Sequence, residues 1–170
     1  MSKTPFVPRD FNIPQQLETH RLRLRMLKVS DVVKDYDAVM SSEEHLLRTK
    51  PFGPGQKWPK NLTLEQNLID LGWHQKEFQI RSTFAYTVMN LDESQCLGCI
   101  YIEPTTKLGC QAKVYLWVRQ SEVATDLDEH LFKSVKTWLA EHWPFKKVAY
   151  PGREISWEEW RSLCNFVPSS

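Results

Sequence analysis

The amino-acid sequence predicts a mixed α/β domain built around one central sheet. Three observations carry that prediction. Residues 112–119 are rich in β-branched and aromatic side chains, with Val114, Tyr115, Leu116, Trp117 and Val118 in succession, the composition of a strand buried on both faces. From Leu127 the period changes: Leu127, Leu131, Val135, Trp138 and Leu139 fall at helical spacing, while Asp128, Glu129, Lys133, Lys136 and Glu141 fall elsewhere. On either side of this strand–turn–helix unit, further strand and helix patterns alternate. A strand that enters a helix through a tight turn aims the helix's free N–H groups at one point, an arrangement suited to phosphate.

The elements follow in chain order. Residues 1–16 contain three prolines and mixed polarity, an extended lead-in without a core of its own, and residues 17–170 form the domain. Leu17–Leu27 alternates, with Leu22, Leu24 and Met26 on one side and Arg21, Arg23 and Arg25 on the other. It reads as a half-buried strand whose arginines make a solvated or ion-paired face. Ser30 is placed to cap a helix through Val32, Val33, Tyr36 and Val39, and a second helical piece covers Ser42–Arg48. Three prolines and two glycines in 51–61 exclude helix and central strand. Phe52 and Trp58 either plug that loop onto the core or make it a lid over a substrate site. Thr63-Leu-Glu-Gln66 fits a capping box that opens a helix to about Gln79. Phe84–Asn90 and Cys96–Glu103 read as a hairpin turned by Leu91–Ser94, with Gly98 marking a bulge or a close backbone approach. Pro144 stops the long helix, Lys146–Tyr150 reads as a short strand, and Ser156–Leu163 as a last helix capped by Ser156.

Composition narrows the function. The 170 residues suffice for one domain with a real core, and the formal net charge is +1 from 22 basic and 21 acidic residues. No basic block exists, which argues against nucleic acid as a partner. No apolar run approaches the ~18 residues of a membrane span, and the N-terminal stretch lacks the apolar centre of a signal peptide. Four cysteines do not suggest a secreted disulfide scaffold in a chain of this length. The expectation is a cytoplasmic protein that engages neither nucleic acid nor membrane.

Leu17-Glu-Thr-His-Arg-Leu-Arg-Leu-Arg25, followed by Asp31, resembles the opening of the GNAT superfamily of N-acetyltransferases. The branch it resembles most acetylates N-terminal amines of ribosomal proteins and related amines. The resemblance continues at Leu97-Gly98 and at Trp117-Val118-Arg119, keeps its register without a gap from Val118 to Leu139, and places Phe166 where that branch ends its last helix with Gly-Phe. It spans about residues 17–166. It implies a single α+β domain with a mixed, mostly antiparallel sheet flanked by helices, and acetyl-CoA as cosubstrate. Backbone groups of Trp117, Val118 and Arg119 would meet the thioester, and Val123, Ala124, Thr125, Asp126, Leu127 and Asp128 would lie beside the pyrophosphate. A small-molecule or peptide amine would attack the thioester directly, covered by Phe52 and Trp58; a homodimer is left open. Glu103 is the candidate base, and Tyr115 and Tyr150, on strands around the expected groove, are candidate acids. A solvated glutamate and core tyrosines are the alternative for these three.

Three departures from that family's pattern are written in the sequence. Its phosphate loop follows Gln/Arg-x-x-Gly-x-Gly/Ala, and here those positions are Val123-Ala124-Thr125-Asp126-Leu127-Asp128, with aspartate at both glycines. Glycine there lets backbone N–H groups approach the pyrophosphate. A carboxylate about 5 Å from a phosphate charge costs roughly 1–3 kcal/mol, and two cost about 2–6 kcal/mol. Asp126–Glu129 can also cap the helix with their own carboxylates. Where many members carry an acid at the start of the central strand, this chain has Ala112 and Lys113. Near Phe166, where the chain ends, the family adds a final hairpin, which leaves 146–150 as a sheet edge. These departures support a rival expectation, a catalytically degenerate binding or regulatory module that does not use CoA.

The remaining motifs read as packing. Cys96-x-x-Cys99 has metal spacing, but an offset of three on a strand puts the side chains on opposite faces, as small buried hydrophobes. His74 has no partner at metal spacing and reads as a surface histidine. No metal site is expected. Trp157 and Trp160, three apart, read as packing onto the sheet.

Overall fold

A computed structural model describes residues 4–165, so Phe166 lies outside the described residues. The strands are β1 (Gln16–Glu18), β2 (Arg23–Met26), β3 (Phe84–Met89), β4 (Cys96–Pro104), β5 (Ala112–Val118) and β6 (Val148–Ala149). The helices are α1 (Val32–Met40), α2 (Glu43–Thr49), α3 (Leu64–Gln79), α4 (Leu127–His142) and α5 (Trp157–Ser162). The strands form one six-stranded sheet in the order β1-β2-β3-β4-β5-β6. Neighbours run antiparallel up to β5, and β6 alone pairs parallel, at the edge. The single mixed, mostly antiparallel sheet is therefore the observed architecture.

The alternation of β5 divides the core. Val114, Leu116 and Val118 pack with Leu127, Leu131, Val135 and Leu139 of α4. Trp117 packs on the opposite face with Val39 of α1, Leu46 of α2 and Leu71 of α3, with Tyr115 against that cluster. Leu131, Val135 and Leu139 are fully buried, and each such side chain stabilises the fold by roughly 1.5–3 kcal/mol. The lead-in adds to the α4 side: Val7 is buried in it and Phe6 stacks on Phe145 at 5.0 Å. The expected caps are present, with Thr63 Oγ1 accepting from Gln66 N and Ser156 Oγ from Glu159 N, both at 3.1 Å. Gly98 faces so close an approach that a Cβ would lie 2.0 Å from the Trp117 carbonyl oxygen.

Several elements differ from the sequence expectation. The 17–27 segment is two strands, because Thr19 turns the chain: its hydroxyl accepts from Arg21 N and Leu22 N, and its own N–H donates to Leu22 O. Ser30 caps nothing; Val29–Asp31 is a 3₁₀ turn in which the Asp31 carboxylate accepts from Lys28 N at 2.9 Å. Arg25 holds that carboxylate through two hydrogen bonds, and Arg23 and Arg25 both pair with Glu93, so this arginine face is ion-paired. Cys96 and Cys99 lie in the same core cluster. The cause is a bulge: Cys96 pairs with Met89 while Gly98 pairs with Val88, and the extra residue cancels the alternation. The last strand shrinks to Val148–Ala149.

Candidate active site

β5 and β6 pair only at Ala112↔Val148 and Lys113↔Ala149. Beyond them the chain turns at Pro151-Gly152, and the two backbones part. Gly152 permits the turn, with φ +81° and the Trp157 ring so close that a Cβ would sit 2.6 Å from its Nε1. The free edge of β5, from Val114 to Val118, thus faces a cleft of about 360 Å³. His45 and Lys50 close one side, Val123 and Asp128 the α4 side, and Arg153 and Trp157 the third. Trp157 stacks on Tyr115 at 5.9 Å, so it packs on the sheet as expected and also walls the cleft. Trp160 is buried.

Ladder alternation decides which backbone groups serve the cleft. Arg119 N donates to Leu97 O at 2.8 Å, and Arg153 Nη2 donates to Leu116 O at 3.4 Å. The backbone groups of Trp117 and Arg119 therefore turn to β4, and those of Leu116 and Val118 to the cleft. The Arg119 guanidinium is buried and bonded to Cys96 O, Asp37 and Ser41. Of Trp117–Arg119, Val118 is the residue that offers backbone to the opening.

The turn into α4 corrects the electrostatic expectation. Asp126 has φ +51°, the left-handed conformation most natural to glycine and tolerated by aspartate. Its side chain does not cap the helix. Asp126 pairs with Arg21 at 2.7 Å, and Arg21 Nη2 also reaches Thr125 O. Asp128 accepts two bonds from Arg153, at 2.7 and 2.8 Å. Two arginines distant in sequence thus offset the two carboxylates, and the helix N-terminus is not filled by its own acids. Thr125 spends its hydroxyl on Glu122, Val123 and Ala124 are exposed, and Leu127 is buried in the core. In the opposite wall, His45 Nδ1 is buried without a hydrogen-bond partner. Burial, then the charge of Arg48, lowers the His45 pKa, so the ring is neutral at neutral pH.

A second cavity, about 260 Å³, lies among α1, α3, β4 and the 51–61 loop. Phe52, Trp58, Trp73 and Tyr101 line it together with Asp35, Asp70, Glu103 and His74. One aromatic layer separates it from the cleft. Phe52 meets Tyr101 at 5.2 Å and Tyr115 at 5.7 Å, Trp58 meets Trp117 at 5.9 Å, and Trp117 Nε1 donates to Tyr101 Oη at 3.2 Å. Phe52 and Trp58 are partly buried against the core, so they both plug the loop down and wall the cavity.

The sequence-predicted residues are divided between these spaces. Glu103 lines the second cavity and pairs across the strands with Lys113, Nζ to Oε2 at 3.4 Å. Tyr115 lines the cleft. Tyr150 lines neither; it is buried against Phe132, and burial raises its pKa. His74 is half-buried rather than on the surface, its ring 5.2 Å from Tyr101, because α3 turns it inward beside Leu71 and Phe78. Asp35 was not anticipated. It falls on the buried stripe of α1 with Ala38 and Val39, and Asn67 falls on that of α3 with Leu71 and Phe78. Polar residues at core spacing were the signal that could have found them. Among the described residues no group of three His, Cys, Asp or Glu side chains could hold a metal ion, and no helix is long and apolar enough to cross a membrane.

No protein-family model matches the chain, and no curated protein matches it. Solved structures do. The ribosomal-protein-S5-alanine acetyltransferase from Vibrio fischeri superposes with a TM-score of 0.58 at 17% identity, over 73% of this chain and 66% of that one. The RimL ribosomal L7/L12 alpha-N-protein acetyltransferase in complex with coenzyme A gives 0.57 at 16%, over 75% and 67%. The microcin C7 self-immunity acetyltransferase in complex with acetyl-CoA and AMP gives 0.59 at 8%, over 75% and 68%. At these identities the likeness shows the fold, and that fold is the one shared by GNAT N-acetyltransferases.

Proposed function

We infer that the chain is an acetyl-CoA-dependent N-acetyltransferase acting on an amine. The observation that carries this reading is the parting of β5 and β6 on this fold. It opens a strand edge to a cleft, with a second cavity one aromatic layer away. The residues present fit an acyl-CoA arm. Leu116 and Val118 offer backbone groups at the edge, His45 has a buried nitrogen without a partner, and Lys50 lines the cleft with no ion pair among the described residues. The segment Val123–Asp128, whose acids are held by Arg21 and Arg153, would lie beside the phosphates. When bound, acetyl-CoA supplies the thioester: the amine nitrogen bonds to the acetyl carbon, the carbon–sulfur bond breaks, and the thiol leaves with the nitrogen's proton.

This chain's own residues hold and orient. Val118 N–H at the cleft edge suits the developing charge on the acetyl oxygen. Tyr115, which lines the cleft and meets Phe52 of the second cavity, would meet the leaving sulfur, and Phe52 and Trp58 would keep water from the acceptor. Neutralised Asp126 and Asp128 favour this reading over a module that has lost CoA. The test is calorimetry with acetyl-CoA and CoA at moderate salt, with acetyl transfer to a panel of peptide and small amines. Micromolar binding with measurable transfer is expected. No binding at millimolar cofactor by the folded protein would sink the reading.

A further inference from the structure

We propose that the cavity beneath the 51–61 loop is a cage for a small organic ammonium ion, with Asp35 as its counter-charge and the acceptor of its proton. The proposal rests on the transferase reading for its purpose and on the cavity for its chemistry. Four rings, Phe52, Trp58, Trp73 and Tyr101, and three carboxylates, Asp35, Asp70 and Glu103, line the space, and among the described residues no lysine or arginine does. Ring faces and carboxylates in a half-closed site favour a desolvated cation. A volume of about 260 Å³ suits a small amine rather than a protein segment of several residues.

Asp35 is the buried carboxylate of this cavity, and it has no ion pair among the described residues. It is 4% exposed, and its Oδ2 accepts from Asn67 Nδ2 at 2.8 Å. Oδ1 has no partner among the described residues. The arginines nearby are committed elsewhere, Arg25 to Asp31 and Glu93 and Arg119 to Asp37, and Lys113 is paired with Glu103. A buried carboxylate is costly without an opposite charge, and a bound ammonium would supply one.

The proton step balances within the cavity. An N–H proton of the ammonium passes to the Asp35 carboxylate, which becomes the neutral acid, and the nitrogen keeps the electron pair it needs as a nucleophile. Asp35 is suited to hold that proton. Burial, partly offset by the Asn67 hydrogen bond and reinforced by Asp31 and Asp70, moves its pKa up to about 6. The groups that face it are Asp31 before α1, Asn67, Asp70 and His74 on α3, and Cys96, Cys99, Tyr101 and Glu103 on β4. His74 is held neutral by burial, against the pull of Asp70 and Glu77, and does not compensate the carboxylate.

Choline tests the cage without acetyl-CoA. Its charge is fixed, it carries no N–H, and 3,3-dimethylbutan-1-ol is its uncharged isostere. Titration of the full chain followed by tryptophan fluorescence should show choline saturating the signal and the alcohol binding at least ~10-fold more weakly. Choline affinity should rise as pH increases through about 6. Asp35→Asn should weaken choline by about 10-fold or more and abolish the pH dependence. Trp73→Leu, at an exposed position that does not endanger folding, should weaken it several-fold. Equal binding of choline and the alcohol, or unchanged choline binding in Asp35→Asn, overturns the cage. Choline binding with no acetyl transfer to any amine keeps the cage and overturns only the transferase reading.

Discussion

The two spaces on either side of the aromatic layer are built from opposite materials. The cleft beside β5 is made of backbone: a strand edge released by its neighbour, a left-handed residue at Asp126, and a turn at Gly152 that no Cβ would fit. The aspartates at its α4 side are each met by an arginine, Asp126 by Arg21 and Asp128 by Arg153. The cavity under the 51–61 loop is made of side chains, and its buried Asp35 stands uncancelled. The difference matches two kinds of ligand. An invariant arm can be gripped through main chain, whereas an acceptor must be chosen by side chains.

The contrast predicts different sensitivities. The largest effect is expected where backbone meets backbone. Gly98→Val would place its Cβ 2.0 Å from the Trp117 carbonyl oxygen, which no rotamer relieves. It should cost more than about 3 kcal/mol in urea unfolding; a near-neutral result would mean that β4 and β5 do not approach so closely.

Asp35→Asn should move stability the other way. The folded pKa of Asp35 is raised from 3.8 to about 6, so the contribution of its protonated form is fully present below pH ~4 and is lost as pH rises through about 6. The asparagine variant should equal the parent below pH 4 and exceed it by about 3 kcal/mol above pH 7. Parallel stability–pH curves would show that the carboxylate is not desolvated.

A smaller effect tests charge cancellation at the cleft. Arg153→Gln leaves Asp128 unopposed and should weaken CoA by roughly 10-fold in calorimetry, while Asp128→Asn should strengthen it. If both variants bind CoA like the parent, this ion pair has no bearing on the phosphates. The mildest change is Thr63→Ala, which removes the cap of the helix carrying Asn67, Asp70, Trp73 and His74. It should cost about 1 kcal/mol and loosen choline binding with little change in CoA binding.

Features set by short-range chemistry were legible in the chain. Hydrophobic period placed α4 and β5, hydroxyl caps placed α3 and α5, and Gly98 announced a close approach, because each depends on neighbours within a few residues. Of the candidate side chains, Phe52, Trp58 and Glu103 line the second cavity, Tyr115 lines the cleft and Tyr150 lines neither. Where the reading missed, a distant partner intervened. Thr19 split one expected strand into a hairpin. A bulge against β3 put Cys96 and Cys99 into one cluster. Arg21 and Arg153 lie 105 and 25 residues from the aspartates they neutralise, so the loop that looked repulsive in one dimension is balanced in three. Asp35 shows the same thing from the other side. Its place on an apolar helical stripe was legible, but its burial beside Asn67, with no cation to spare, required α1, α3 and β4 to pack together. Charge compensation depends on distance in space, and tertiary contact alone sets that distance.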